Sequence, residues 1–415
     1  MRLPRDRGRV MRATRTSSAE FDNGWRIVLG AALAAGTGVA LVFLNFSMFV
    51  LPLSQELGVS RGDLGSIQAL IVTAALGAPL AGRAADRFGV RAVFISCTSV
   101  VACVHLLVAA FATSLFHMAL SVAAVGFFGV GSTAVVLTRP INAHFRERRG
   151  LALGLMAVGV AFVGMAAPPL LQWLLQTNGW RACFIGLAAL SVTIGIPAAL
   201  LLLPKDRPTI GRDAAQKFAV PSDRSFLTER DFWLLTLSMI TMSLATAGTV
   251  SQLVPMIADE GVGPKTAGLG LSLFAAGQFV GRLGGGWLLD RFDPRRVAVF
   301  LTLMPAIGFV VLLATQNMVV AALFAVAVIG VQQGAELDIF AYFVASRFDV
   351  SRYGSIYGAA VGFGWIGNVG GMVGMGQIYD YFGSYNLAQA AGVAALILSA
   401  SLISMVKLPS SRLRA

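Results

Sequence analysis

The chain has 415 residues, of which 56% are hydrophobic and only 13% charged, with a net charge of +12 and a mean hydropathy of +0.76. Soluble chains carry about 25% charged residues, so a soluble enzyme is excluded, and no loop is large enough for a catalytic constellation or an ATP-binding domain. The basic residues recur in every second short connection instead of gathering in one domain, which excludes a nucleic-acid binder and leaves an integral membrane protein.

Residues 1–25 are polar. A signal peptide passes at once from a short basic region into its apolar core, so this stretch reads as a cytoplasmic tail leading into a retained helix. Apolar runs long enough to cross a bilayer, about 20 residues, follow at 27–51, 63–82, 92–112, 115–138, 150–174 and 181–203. They form a first bundle, 26–203. A charged linker, 204–231, separates it from a second bundle, 232–405, with runs at 232–256, 267–289, 296–314, 318–343, 354–377 and 384–405, and a tail at 406–415. Each run exceeds the roughly 9–11 residues of a barrel strand and lacks strict alternation. The expected class is an all-α integral membrane protein with twelve transmembrane helices. Cys97, Cys103 and Cys183 lie in apolar runs without paired spacing, so neither a disulfide framework nor a metal site is expected. No cofactor is expected either.

Orientation follows the positive-inside rule. Lys and Arg divide 28 to 3 between the two sides, the minority being Arg61, Arg181 and Lys265, and Arg282 alone lies within a run. Both termini are therefore expected in the cytoplasm, in a bacterial inner membrane.

An offset of 204 residues relates the halves. It carries Gly82, Asp86, Arg87, Phe88 and Arg91 onto Gly286, Asp290, Arg291, Phe292 and Arg295, and Arg148, Gly150 and Gly154 onto Arg352, Gly354 and Gly358. Six spans is an even number, so the repeats are parallel, an arrangement suited to alternating access around a central site. Positive-inside topology explains the arginines of the two loops but not Asp86 or Asp290. Those carboxylates read as gate elements that accept hydrogen bonds from basic residues across the half interface, with turn structure as the alternative. Glycines at three- and four-residue spacing in the fifth and eleventh runs mark faces for close helix approach between the halves.

With this loop and its second-half copy, the chain resembles the major facilitator superfamily from about Trp25 to Met405. A narrower likeness lies in HFRERRGLALGLMAVG (residues 144–159), which is similar to the monocarboxylate-transporter signature entering the fifth span. Asp22, Gly24 and Trp25 are a looser match to the signature before the first span. The resemblance implies that Arg282 stands where monocarboxylate and oxalate/formate carriers place the eighth-span arginine that meets a substrate carboxylate. Those carriers often have a lysine in the membrane; here Lys205, Lys217, Lys265 and Lys407 all lie outside the runs.

The residues themselves say as much about Arg282. An arginine at depth is costly unless it faces the bundle interior and finds a partner, and its planar fork suits a bidentate carboxylate. That partner is a substrate anion or an acid of the tenth run, Glu336 or Asp338. These acids are about 200° apart on a helix. Gln332 shares the face of Glu336, which points Glu336 to the cavity and leaves Asp338 for a loop arginine, Arg291 or Arg347. Either acid is a candidate for carrying a proton, with Glu336 the expected coupling acid and Asp338 the alternative. Gln278, one turn before Arg282, with Asn45, Gln252, Asn368 and Trp365, completes the substrate-lining set. His105 and His117 read as flanking the outer ends of their spans. The expected function is secondary transport of a small organic anion, a monocarboxylate, coupled to protons, by a monomer in the lipid bilayer. Efflux of drugs or metabolites on the same fold is the alternative.

Overall fold

The structure is a computed structural model that describes residues 7–145, 148–205, 225–259, 261, 263–314, 318–348 and 352–408. The side chains of residues 7–19, Asn23, Pro264, Lys265, Asp290 and Gly354 and most of the linker lie outside the described set. The described residues form helices joined by short turns, with no strand among them.

Among the described residues, nine helices are long and apolar enough to cross a membrane by length and composition, and a bent pair in the first span makes ten. The 54-residue stretch Arg149–Leu202 counts once in that total, yet Gly179, at φ 78° and ψ 178°, folds it into two spans. A β-carbon disfavours that backbone, and the chain turns here, not at Pro168-Pro169, which sit inside the helix. Pro264–Arg291, 28 residues long, completes the twelve. In chain order, span 1 comprises Arg7–Gly36, Val39–Asn45 and Ser47–Leu57, and span 2 comprises Arg61–Ala69 and Ala74–Phe88. Span 3 is Val90–Phe111, span 4 joins Leu115–Gly129 to Ala134–His144, and spans 5 and 6 share Arg149–Leu190 and Ile196–Leu202. Span 7 is Arg230–Ser251 with Leu253–Asp259, and spans 8 to 12 are Pro264–Arg291, Pro294–Ala314, Val319–Arg347, Tyr353–Phe382 and Asn386–Ser404.

The first span differs from expectation at its start. Its helix reaches back to Arg7, into the stretch read as a polar tail. Phe21 stacks on Phe145 at 4.9 Å, and the Arg148 amide donates to Glu20 at 3.2 Å, so an apolar contact and a hydrogen bond fasten residues 20–25 to the end of span 4. The span also breaks at Thr37-Gly38. The Ser132 hydroxyl accepts from the freed Val39 amide at 2.9 Å, and Ser191 donates to the Thr37 carbonyl at 2.8 Å. Broken helices survive at membrane depth where side chains satisfy the freed backbone groups.

Packing is tightest where glycine removes the side chain. Spans 8 and 10 run side by side, and a β-carbon at Gly281 would come to 1.7 Å from the Val331 carbonyl oxygen, one at Gly334 to 2.1 Å from that of Gln278. Span 7 packs on span 11, span 9 on spans 10 and 12, and span 1 on span 5. The halves meet mainly where span 5 packs on span 8 and span 2 on span 11, with a smaller contact between Ser47–Leu57 of span 1 and Leu253–Asp259 of span 7. The glycines of span 11 serve both purposes. Gly367 and Gly371 press against span 7 within the half, and Gly376 lies against Arg61 and Gly62 of span 2.

Candidate functional site

A cavity of about 360 Å³ lies between the halves, walled by spans 1, 4 and 5 on one side and spans 8 and 10 on the other. The break in span 1 brings Ala35, Val39 and Ala40 to its wall. Its polar groups are Arg282 and Gln278 of span 8, Gln333 of span 10, and Ser132 and Thr133 of span 4. Arg282 is half-buried, and among the described residues it makes no ion pair within 4.0 Å and no side-chain hydrogen bond. Its guanidinium donors are thus free to receive an anion. Gln278 sits one turn away on the same face, as its spacing predicts.

The acids of span 10 exchange the places expected of them. Glu336 is buried, 4% exposed, and faces span 7. One carboxylate oxygen accepts from Ser243 at 2.9 Å, and the other accepts from Gln333 at 3.0 Å. Gln332, on that same face, donates to the Met242 sulfur at 2.8 Å. The polar stripe of Gln332 and Glu336 is therefore a seam between spans 7 and 10, and the cavity sees Gln333. The 204-residue offset explains the seam, because it carries Ser132 onto Glu336 and Val39 onto Ser243. The bond between spans 1 and 4 in the first half recurs between spans 7 and 10 in the second. Asp338 follows Gly334 by one turn, on the face packed against span 8, and lies within electrostatic reach of Arg282. It does not pair with Arg347, whose guanidinium binds Asp231 and, at 3.7 Å, Glu229. Arg291 stands over the Trp287 ring, 5.8 Å from its centroid. Tyr357, stacked on Tyr353 at 5.6 Å, is the further neighbour of Arg282 and Asp338.

The other candidates lie elsewhere. Asn45 is buried and donates to the Leu41 carbonyl at 2.7 Å within its own helix. Asn368 does the same toward Gly364 at 3.3 Å. Trp365 is half-buried against the apolar core, and none of the three lines the cavity. His105 is not at a span end in any accessible sense. It is 1% exposed, and neither ring nitrogen has a partner among the described residues.

At the arginine-rich ends, Asp86 accepts from Arg139 of span 4. The pair lies within one half, not across the interface, because span 4 ends beside the loop between spans 2 and 3. The offset carries Arg139 onto Phe343, so the second copy has no matching arginine, and the Asp290 side chain is outside the described residues. Arg87 lies over Phe88 at 5.2 Å, Arg91 is half-buried, and Arg295 donates to the Val406 carbonyl at 2.8 Å.

Bonds across the halves gather at the opposite ends. Arg61, where span 2 begins, grips Asp259 of span 7 through two bonds of 2.6 and 3.0 Å and donates to the Tyr385 hydroxyl at 3.0 Å. Its guanidinium lies 3.9 Å from the Tyr379 ring centroid. The Gly62 amide donates to Asp380 at 2.8 Å. Gln252 belongs to this cluster and not to the cavity. It donates to the Arg61 carbonyl at 3.3 Å and accepts from Tyr385 at 3.1 Å. One basic residue in a short loop carries no sign of such a role, and Asp259 lies 198 residues away.

Comparisons with known proteins agree with this architecture. The bovine (Bos taurus) monocarboxylate transporter 13 is 29% identical over 293 residues, 70% of this chain and 66% of the relative. The human (Homo sapiens) monocarboxylate transporter 11 is 30% identical over 287 residues, 67% and 60% of the two chains. The matched region is thus just under two thirds of the curated relatives' length. These relatives are named as transporters, not as enzymes. Among solved structures, a D-xylose–proton symporter aligns with a TM-score of 0.69 at 14% identity over 94% of this chain and 99% of that one. A bacterial homologue of the human lysosomal transporter spinster aligns at 0.66 and 15% identity over 92% and 94%. The description of the Major Facilitator Superfamily matches residues 28–261 and 235–414, and the chain belongs to that family.

Proposed function

We propose that the protein is a secondary transporter of a small organic anion, a monocarboxylate, moved by alternating access between the bundles 26–203 and 232–405. The observation that carries this reading is Arg282, a cation with no acid in ion-pair range among the described residues, in a cavity walled by both halves. A carboxylate bound there gains two charge-assisted bonds from one guanidinium, with Gln278 and Gln333 beside it. The relatives named as monocarboxylate transporters support the same substrate class.

Proton coupling follows from charge balance. The Arg282 cation is a fixed part of the protein and does not travel with the anion, so an imported carboxylate moves negative charge against an inside-negative potential, at about 2.3 kcal/mol per charge per 100 mV. A proton carried on Asp338, the acid facing Arg282, removes that cost. Protonated Asp338 leaves Arg282 to the substrate; ionised Asp338 competes for it. Both termini lie in the cytoplasm on this reading, as the 28-to-3 division of basic residues requires.

The test is ligand-induced thermal stabilisation of the purified chain. Carboxylates raise the melting temperature of the wild type through binding linkage, and Arg282→Gln removes the rise without lowering the unliganded value. Equal stabilisation of both proteins contradicts the assignment.

A further inference from the structure

The two halves line the cavity unequally, polar on the side of Arg282 and mainly apolar on the facing side, and that division sets the kind of carboxylate it takes. Arg282 is the one charged residue on its described wall. Gln278 and Gln333 line the cavity on the same half as Arg282, while the facing half contributes mainly apolar groups, Phe43, Leu44, Met156 and Val160, with Ser132 and Thr133 its polar members. A volume of about 360 Å³ corresponds to roughly a dozen waters at about 30 Å³ each. A short acid such as acetate fills a small part of that space and leaves water against apolar walls. A second carboxylate, by contrast, would meet Phe43 and Met156 with no donor to receive it, a costly desolvation.

Resting on the reading of Arg282 as the carboxylate receptor, we propose that the substrate is an amphipathic monocarboxylate with a sizeable apolar body, of the medium-chain or arylalkanoic kind. Its carboxylate meets Arg282 and the two glutamines, and its hydrocarbon part lies toward span 1 and span 5. Short hydroxy or keto acids and dicarboxylates are poor ligands. Each methylene moved from water into the apolar part gains about 0.8 kcal/mol, about fourfold in affinity.

The experiment is titration calorimetry of the full chain in detergent with sodium acetate, butanoate, hexanoate, phenylacetate and succinate. Arg282→Gln and Ala157→Phe are titrated in parallel, the latter narrowing the apolar wall at a half-buried position. The expected result is a fall in Kd of about tenfold or more from butanoate to hexanoate, phenylacetate among the tightest, and succinate weaker than butanoate. Ala157→Phe is expected to lose at least tenfold for hexanoate and phenylacetate while still binding butanoate, which also shows that the variant is folded. Affinity flat with chain length, or succinate the tightest, overturns this proposal and leaves Arg282 as the receptor, provided Arg282→Gln abolishes binding. Binding that survives Arg282→Gln, or no binding of any acid by the wild type, overturns both.

Discussion

Replacing Arg61 by alanine removes the residue that ties span 2 to spans 7 and 12. Its two bonds to Asp259 are charge-assisted. Bonds to charged groups are worth about 1.5–3 kcal/mol net, whereas an exposed ion pair adds about 0–1 kcal/mol. The Arg61 side chain is only 13% exposed and Asp259 36%, so the pair falls between these limits, at about 1–2 kcal/mol. The cation over the Tyr379 ring at 3.9 Å adds about 0.5–1 kcal/mol. The conformation joined at these ends should lose about 1.5–3 kcal/mol, a shift of roughly 10- to 150-fold toward separation of the two halves there. Spin labels at Thr113 and Asn386, both exposed at these ends and in different halves, report it as a longer distance population in pulsed dipolar spectroscopy. Arg61→Lys, which keeps the charge but loses the fork, should fall between wild type and alanine. If the distance distribution of Arg61→Ala matches wild type, the cluster is a surface ornament and not a gate.

Three further outcomes follow from the same geometry. Glu336→Gln should keep substrate exchange and pH-driven accumulation, since an amide still bonds Ser243, whereas Asp338→Asn should keep exchange and lose accumulation; vesicle uptake under an imposed pH gradient separates the two. Gly281→Ala, with its β-carbon 1.7 Å from the Val331 carbonyl oxygen, forces spans 8 and 10 apart and should cost at least about 2–3 kcal/mol, read as a large loss of melting temperature, against little change for Gly284→Ala, where nothing lies within 4 Å. Glu56, beyond the predicted end of span 1, is held below the ordinary carboxylate value of 4.5 by its bonds from Arg181 and Trp180. A depressed folded value gives stability that is full above pH 4.5 and fades as the pH falls through the lower folded value; the melting-temperature gap between wild type and Glu56→Gln should therefore be widest near pH 7 and narrow below pH 4.5.

Hydropathy and charge made the twelve spans legible, because each depends on composition over some twenty residues and not on any one contact, and the repeat was legible from loop residues that recur at a single offset. Arg282 and Gln278 were legible for a related reason, since a lone cation at depth has few places to go. Helical phase was not. The shared polarity of Gln332 and Glu336 marked a seam with span 7, and a polar stripe looks the same in sequence whether it faces a cavity or a neighbouring helix. Gln333, the residue at the cavity, differs from Gln332 by one position and by nothing in composition. The cluster of Arg61, Asp259 and Tyr385 was not legible, and Gln252 was read as a cavity residue, because their bonds join positions far apart in the chain; Asp86 was expected to bond across the halves because the position of Arg139 at the end of span 4 emerges only from the packing.

The central claim is that Arg282 receives the carboxylate that is transported. Its most direct measurement is uptake of radiolabelled hexanoate or phenylacetate into proteoliposomes preloaded with the same unlabelled acid, for wild type and Arg282→Lys. The preloaded exchange removes the driving force and leaves binding and movement of the substrate itself. Counterflow by the wild type, lowered at least tenfold in Arg282→Lys because a point charge replaces the bidentate fork, is the predicted result; equal counterflow by the two proteins contradicts the account.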